Sequence, residues 1–191
     1  MKAIRIHAYG GPDLMRLEDA PVPPCGAGDM LVRVVAAGVN PVDWKMRSGV
    51  MAAQIPKSFP VTLGFDAAGI VTALGGEVAG FELGDEVCFY AEFGRGGTYA
   101  EYVAVDARQA AKKPRTASFA AAAALPMAGQ AAWTALIETA RVERGMRVLI
   151  HGAAGRSARP PCNWPKSTAR MSLPRPAATA WPWSRAWVPT R

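Results

Sequence analysis

R-V-L-I-H-G-A-A-G, residues 147–155, is the stretch that decides the fold of this 191-residue chain. Its three successive branched apolar residues suit a parallel β-strand that is covered on both faces. The glycines at its end allow backbone N–H groups to approach a pyrophosphate at the start of a helix. The stretch therefore predicts the first strand and the phosphate-binding turn of a doubly wound nucleotide-binding domain. The candidate cofactor-binding residues in this turn are Gly152, Ala153, Ala154 and Gly155.

The residues after this turn differ sharply in composition from those before it. Residues 156–191 contain six Arg, one Lys, seven Pro and four Trp, but no acidic residue, no Gly and no Ile. Such frequent Pro is incompatible with the helix that should follow the turn. We therefore expect the nucleotide-binding domain to be truncated after residue 155, with a basic Pro/Arg/Trp-rich tail over 156–191.

The net charge of +7 is concentrated in this tail. The tail holds seven of the 22 basic residues and none of the 15 acids, so residues 1–155 carry 15 of each sign. A neutral body argues against nucleic-acid binding, and no apolar span is long enough to cross a bilayer. No signal-peptide pattern opens the chain, and the three widely spaced Cys suggest no disulfide framework. We expect a cytoplasmic protein without nucleic-acid or membrane partners.

Residues 1–110 have the pattern of a β domain. Strands are predicted at 2–7, 30–35, 61–74 (interrupted by glycines), 86–90 and 98–105. Several short strands separated by Gly and Pro indicate a barrel or a sandwich. One short helix interrupts them, with Asn40 as its N-cap, Pro41 in its first turn and Asp43 facing its N-terminal dipole.

Residues 111–155 have the pattern of the beginning of an α/β domain. An alanine-rich helix is predicted from Ser118 to Ala124, followed by a break at Pro126 and a second helix to about Ala140. The strand at 146–151 comes next. A β domain followed by helices and a strand with a glycine turn indicates the start of a doubly wound sheet.

Five ordered segments carry a resemblance to a known family. The longest, residues 21–45, reads P-V-P-P-C-G-A-G-D-M-L-V-R-V-V-A-A-G-V-N-P-V-D-W-K. The others are G-F-D-A-A-G-I-V at 64–71, F-E-L-G-D-E-V at 81–87, A-A-A-L-P-M-A-G-Q-A-A-W-T-A-L at 122–136 and R-G-M-R-V-L-I-H-G-A-A-G at 144–155. Together they resemble the medium-chain dehydrogenases/reductases, in the zinc-independent quinone oxidoreductase branch.

The resemblance implies a GroES-like β-barrel domain over residues 1–110 and the start of a Rossmann NADP-binding domain over 111–155. It also implies an oxidoreductase, often homodimeric, that transfers hydride from NADPH to a quinone or an α,β-unsaturated carbonyl. Two rival functions stay open. One is enoyl reduction within a larger synthase, and the other is a non-catalytic binding or regulatory role for the β domain and its basic tail.

Metal chemistry is not expected at this site. Zinc-dependent relatives have Cys at the position of Asn40 and His at the position of Phe65. A catalytic zinc needs three thiolate, imidazole or carboxylate ligands, and neither an amide nor a phenyl ring replaces them. We therefore expect a zinc-free site in which catalysis depends on the position of the reactants.

The resemblance also assigns roles to individual residues. Asn40 resembles the residue that lies beside the nicotinamide and the substrate, although a plain N-cap role explains it equally well. Phe65 and Tyr90 are candidates for the wall of an apolar acceptor pocket, with core packing as the alternative. Ala131 stands where the family often has a Thr that contacts the nicotinamide side, so one cofactor hydrogen bond is in doubt.

The codons of Cys162–Lys166 suggest how the tail arose. The residues Cys-Asn-Trp-Pro-Lys require TGY-AAY-TGG-CCN-AAR, and reading one base earlier gives Gln or stop, then Leu, then Ala. The family continues the phosphate-binding turn with Gly-x-Gly and a helix that resembles V-Q-L-A-K. We interpret the tail as the product of a one-base deletion near the codon of Arg156, with a genuine extension as the alternative. In either case we expect this chain to be inactive towards NADPH.

Overall fold

The computed structural model describes residues 1–55, 58–92, 94–143, 146–150 and 170–172. The chain divides into two compact units, which comprise Met1–Pro126 and Met127–Arg191. The domain boundary near residue 110 that the sequence suggests remains a prediction. Among the described residues, no helix is both long and apolar enough to cross a membrane.

The first unit is built mainly from two antiparallel sheets. The smaller sheet has the order β2–β1–β4, and the larger has the order β7–β3–β5–β6–β8. The strands are β1 (Lys2–Ile6), β2 (Arg16–Asp19), β3 (Asp29–Ala37), β4 (Val61–Thr62), β5 (Asp66–Leu74), β6 (Glu86–Tyr90), β7 (Tyr102–Asp106) and β8 (Ala110–Lys112). The helices are α1 (Pro41–Ser48) and α2 (Phe119–Ala123), with short 3-10 turns at Pro12–Leu14 and Ala107–Gln109.

One face of the larger sheet carries the main hydrophobic core. Because side chains alternate along a strand, alternate residues of four neighbouring strands point to this face. The register places Val32 opposite both Val71 and Val103, and Ala67 opposite Phe89. The buried residues of this core are Met30, Val32, Ala67, Val71, Val87, Phe89, Ala91, Val103 and Val105.

The opposite face of the larger sheet packs against α2. Ala122 and Ala123 of this helix form a buried cluster with Ala68 of β5, and Cys88 packs at its edge. Ser118 caps the helix, since its side chain accepts the backbone N–H of Ala121. The small alanine side chains allow the helix to approach the sheet closely.

The second unit contains helical turns and a short pair of strands. Helix α3 (Pro126–Trp133) continues into π-helical turns over Thr134–Thr139. Strand β9 (Arg147–Leu149) pairs parallel with β10 (Arg170–Ser172). Val148 is half-buried, and 58% of Leu149 is exposed.

The structure confirms the fold class and most of the predicted elements. The helix that Asn40 caps, the helix after Ser118 and the strand at 86–90 lie where the sequence predicts them. Gly64 separates β4 from β5 with a left-handed φ of +94°, a conformation that favours glycine. Gly69 does not break the strand. A Cβ atom there would lie 2.2 Å from the carbonyl oxygen of Arg33, so glycine allows the two strands to approach.

Other predictions were incomplete or wrong. Strands β2 and β8 are not predicted from the sequence, and β7 begins at Tyr102 rather than at residue 98. The sequence predicts a strand at 146–151 that is buried on both faces, but β9 covers only Arg147–Leu149 and Leu149 is exposed. No strand was expected after residue 155, whereas the backbone of 170–172 pairs with β9.

Candidate functional site

Asn40 lies at the junction between β3 and α1 and is 5% exposed. Its extended backbone, with φ −123° and ψ 155°, is typical of an N-cap, and Pro41 begins the helix. The carboxylate of Asp43 accepts the backbone N–H of Asn40 at 2.6 Å. The backbone of Asn40 is therefore fixed by the first turn of the helix that it caps.

The side chain of Asn40 is held by a different element. Its Nδ2 donates a hydrogen bond of 2.9 Å to Asp66, the first residue of β5. Asp66 is completely buried. The carboxamide is thus oriented by a buried carboxylate, because only the NH₂ side of the amide donates.

A tyrosine completes this polar cluster. The hydroxyl of Tyr99 donates a hydrogen bond of 2.7 Å to the same carboxylate oxygen of Asp43 that accepts the Asn40 N–H. Asp43 itself is 4% exposed. The segment before β7 is thereby connected to the start of α1. We call these four residues, Asn40, Asp43, Asp66 and Tyr99, the Asn40 cluster.

Two aromatic rings lie next to this cluster. Phe65 and Tyr90 stack with ring centroids 6.0 Å apart and an interplanar angle of 22°. In the sheet register Tyr90 is directly opposite Asp66, so these two side chains share one face of the sheet. The structure therefore brings three of the predicted site residues, Asn40, Phe65 and Tyr90, around Asp66.

Burial and nearby acidic side chains act on two titratable groups of this face. Burial raises the pKa of the Tyr90 hydroxyl to about 12, and the charges of Asp66, Glu92 and Asp43 act in the same direction. Burial also raises the pKa of the Cys88 thiol, again with a contribution from Asp66. Both groups are therefore protonated at neutral pH.

A cavity of about 360 Å³ adjoins this region, and Phe65 forms part of its wall. Most of the wall comes from the chain that leads into β5 and from the glycine-containing loop before Gly97. Its lining residues are Met46, Ser58, Pro60, Val61, Thr62, Leu63, Gly64, Phe65, Gly94 and Gly96. A space of this size falls within the range of small-ligand pockets, and polar and apolar atoms contribute to its surface in similar measure.

The described residues include no group of three or more His, Cys, Asp or Glu side chains that is arranged to hold a metal ion. The two acids nearest to Asn40 are both engaged in hydrogen bonds, Asp43 with Tyr99 and Asp66 with Asn40 itself.

The remaining predicted site residues lie in the second unit. Ala131 is an exposed residue of α3. Gly152, Ala153, Ala154 and Gly155 lie outside the described residues. The strand that precedes them does pair in parallel, which fits the strand before a dinucleotide-binding turn.

Sequence reasoning missed two members of the cluster. Asp66 is the only charged residue between Gly64 and Leu74, and a lone carboxylate in an apolar strand is a signal of a buried polar interaction. Tyr99 gives no comparable signal, because its partner Asp43 is 56 residues away in the sequence.

Comparison with known proteins agrees with this architecture. Residues 26–115 match the family model of the alcohol dehydrogenase GroES-like domain. The chain is 37% identical over 156 residues to a quinone oxidoreductase of Mus musculus, which covers 81% of this chain and 46% of the relative. It is 38% identical over 164 residues to a 2-methylene-furan-3-one reductase of Solanum lycopersicum, covering 81% of this chain and 41% of the relative.

A solved structure gives the same result. The quinone oxidoreductase of Escherichia coli, complexed with NADPH, superposes with a TM-score of 0.77 at 29% identity and covers 91% of this chain and 52% of that one. The chain spans less than half the length of the curated relatives it matches. Over its GroES-like domain and the residues that follow, the chain is therefore similar to the quinone oxidoreductase branch of the medium-chain dehydrogenases/reductases.

Proposed function

We propose that this protein is a zinc-independent reductase that acts on quinones or α,β-unsaturated carbonyls with NADPH as the reductant. The observation that carries the proposal is the buried hydrogen bond between Asn40 and Asp66, next to the stacked rings of Phe65 and Tyr90. It combines a fixed amide with apolar ring walls, which suits a flat, uncharged acceptor. A quinone or enone is already electrophilic, so orientation and a few hydrogen bonds suffice for its reduction.

The choice of substrate and cofactor is supported by the relatives. One is named a quinone oxidoreductase and another a 2-methylene-furan-3-one reductase, an enone reductase by its name. The Escherichia coli structure contains NADPH. When bound, NADPH supplies the hydride.

The proposed site needs no metal. The amide of Asn40 and the ring of Phe65 stand where zinc-dependent relatives have Cys and His, and Asp43 and Asp66 hold Asn40 and Tyr99. We propose that Asn40 contacts the acceptor or the nicotinamide through its carboxamide, while Phe65 and Tyr90 exclude water from the reacting face.

Residues 156–191 bear on the activity of the 191-residue chain itself. Their sequence contains no glycine, so the next glycine of the phosphate-binding turn is missing, and their seven Pro disfavour the helix that would supply its dipole and N–H groups. We propose that this weakens NADPH binding by about a thousandfold, which corresponds to roughly 4 kcal/mol. The same residues fit a one-base deletion near the codon of Arg156.

Two proteins made in parallel test these proposals. One is the 191-residue chain, and the other is encoded by the same gene with one base inserted near the codon of Arg156. We expect micromolar NADPH binding and quinone-dependent NADPH oxidation from the second protein only, with no loss after treatment with a chelator. Saturable micromolar NADPH binding by the 191-residue chain would contradict the proposed loss of cofactor affinity. Independent sequencing of the gene that finds no missing base near the codon of Arg156 would contradict the proposed deletion.

The role of Asn40 is tested in the active protein. Asn40→Ala should lower kcat/KM by tenfold to a hundredfold, since a misplaced reactant loses much of the benefit of orientation. Gln54→Ala is the matched control, because Gln54 is an exposed amide outside the Asn40 cluster. Equal kcat/KM values for the two variants would show that Asn40 is only a helix cap.

The rival functions differ in simple measurements. An enoyl reductase prefers enoyl thioesters to quinones in a profile of acceptors. A binding protein that uses its basic tail retains a partner until residues 156–191 are deleted. We also propose a cytoplasmic, homodimeric protein, which cell fractionation and size-exclusion chromatography test.

A further inference from the structure

Strand β2 lies at the edge of the smaller sheet and exposes an apolar side chain. The sheet order β2–β1–β4 gives β2 a neighbouring strand on one side only, among the described residues. Leu17, within β2, is 71% exposed, the highest value for any large apolar side chain that the structure describes. We propose that β2 is an interface for a second copy of this chain, which pairs with it antiparallel about a twofold axis at Leu17. The inference does not rest on the proposed reductase activity, because β2 contributes no residue to the Asn40 cluster.

The backbone of Leu17 points to the open edge of β2. On the side of β1 that faces away from β2, the N–H of Ile4 donates to the carbonyl oxygen of Tyr99. Ile4 is directly opposite Leu17 in the register of β1 and β2, so these two residues form a pair without hydrogen bonds between them. The N–H and C=O of Leu17 therefore point away from β1 as well. In the proposed dimer, the Leu17 N–H of each copy donates to the Leu17 carbonyl oxygen of the other.

The same register brings exposed apolar side chains together. Residues that are opposite each other in an antiparallel pair lie on one face of the sheet, so Ile4 and Leu17 are neighbours on that face. When Leu17 is opposite Leu17 of the second copy, the four side chains of these two residues form a continuous row across the joined sheets. Association removes part of this row from water, and that burial favours the dimer.

The residues on either side of Leu17 are complementary in charge. With the twofold axis at Leu17, Arg16 of each copy is opposite Glu18 of the other. Within one copy, Arg16 is opposite Arg5 and has no ion pair in the part of the chain that the structure describes. Like charges opposite each other destabilise a sheet, and a carboxylate from the second copy offsets this repulsion. Glu18 already pairs with Arg5 at 3.1 Å, but a carboxylate accepts several hydrogen bonds.

The interface is small, so the dimer should be weak. A single pair of short strands buries less surface than the roughly 1,200 Å² at which stable protein interfaces begin. We therefore expect a dissociation constant on the order of 100 µM. Pairing about a twofold axis uses the open edge of β2 in both copies, so association through this edge stops at the dimer.

Analytical ultracentrifugation of the full 191-residue chain, from about 10 to about 500 µM, measures this association. Leu17→Lys removes the apolar contact and places like charges opposite each other at the twofold axis. It should therefore weaken dimerisation at least about tenfold. Leu83→Lys is the matched control, because Leu83 is 67% exposed and lies outside the strands of the first unit. The dissociation constant of this control should equal that of the unsubstituted chain.

A cross-linking experiment tests the register itself. Leu17→Cys places a thiol opposite the same thiol of the second copy. The Cα atoms of such a hydrogen-bonded pair are about 5.5 Å apart, which is within the span of a disulfide. Mild oxidation should therefore give a covalent dimer in higher yield than in the unsubstituted chain, which already contains three Cys. Leu83→Cys is the control and should give no such increase.

The outcomes separate this interface from any other. A chain that is monomeric at about 500 µM overturns the proposal. A dimer that Leu17→Lys and Leu83→Lys weaken equally, or that neither weakens, forms through another surface and also overturns it. If Leu17→Lys fails to fold, as judged by near-UV circular dichroism, the cross-linking result decides. Equal yields of covalent dimer from Leu17→Cys and Leu83→Cys then overturn the proposal.

Discussion

The two units of this chain differ in how well their described strands are covered, although the first unit also exposes large apolar side chains such as Leu17 (71%) and Leu83 (67%). In the first unit, the core face of the larger sheet is completely covered, and Met30, Val32 and Val87 have no exposed surface. In the second unit, Trp133 is 49% exposed, Met146 43% and Leu149 58%. The difference shows that a hydrophobic pattern predicts which residues need cover, whereas only neighbouring strands and helices provide it.

The lengths of the paired strands explain this contrast. Strands β3 and β5 are each nine residues long and pair over most of that length, with β7 and β6 on their outer sides. The pair of β9 and β10 is three residues long. A short pair has few hydrogen bonds and little buried area to offset the conformational entropy of its ordering.

The largest expected difference is in hydrogen exchange. Backbone amides in the centre of β3 and β5, such as those of Val32 and Ile70, should exchange at least about a thousandfold more slowly than those of Arg147–Leu149. Central amides of a four- or five-strand sheet open only in global unfolding, whereas a short strand opens locally. Exchange followed by NMR at neutral pH measures both classes in one sample. Similar rates would mean that the second unit is stabilised as strongly as the first.

The next effect concerns side-chain truncation. Phe89→Ala removes a ring that is 1% exposed from the core of the first unit and should destabilise it by about 3–5 kcal/mol. Leu149→Ala removes a side chain that is 58% exposed and should cost less than about 1 kcal/mol. Urea unfolding, monitored by circular dichroism, gives both values. Equal losses would contradict the contrast between the units.

Some elements of the fold can be predicted from local sequence patterns, and others cannot. The apolar patterns over 30–35 and 86–90, the N-cap at Asn40 and the alanine-rich run after Ser118 are local signals, and they predict the correct elements. Strands β2 and β8 have weaker alternation and are specified by pairing with β1 and β6. Their formation depends on contacts between residues far apart in the sequence, which no local pattern reports.

The candidate site was predictable to a similar extent. Asn40, Phe65 and Tyr90 follow from the family motifs, and the structure gathers them around Asp66. The hydrogen bond between Tyr99 and Asp43 connects residues from different elements, and single-sequence patterns do not report such pairs.

Loss of the hydrogen bond between Tyr99 and Asp43 should have a smaller effect on the stability of the first unit. Tyr99→Phe leaves the buried carboxylate of Asp43 with one donor fewer and should destabilise the unit by about 1.5–2 kcal/mol. Tyr102→Phe is the matched control, since Tyr102 makes no side-chain hydrogen bond within the described part of the chain. The difference between the two urea midpoints measures the bond. Equal midpoints would show that water replaces the Tyr99 hydroxyl without cost.

The smallest expected effect is confined to alkaline pH. Burial, followed by the charges of Asp66, Glu92 and Asp43, raises the pKa of Tyr90 to about 12 from an ordinary value of 10.0. A group whose pKa is higher in the folded state favours folding below its unfolded pKa and loses that contribution as the pH rises. Stability should therefore decline between about pH 10 and pH 12.

Tyr90→Phe should remove part of this decline, and Asp66→Asn should lower the pKa of Tyr90 by removing the second of its causes. Urea unfolding at a series of pH values measures the first effect. The absorbance of tyrosinate at 295 nm, with Tyr90→Phe as the reference spectrum, measures the second. Because Tyr90 is only partly buried, both effects should be smaller than those of the preceding substitutions. If the pKa of Tyr90 is the same in Asp66→Asn, the carboxylate of Asp66 does not act on the Tyr90 hydroxyl. The first unit would then differ from the second in packing only.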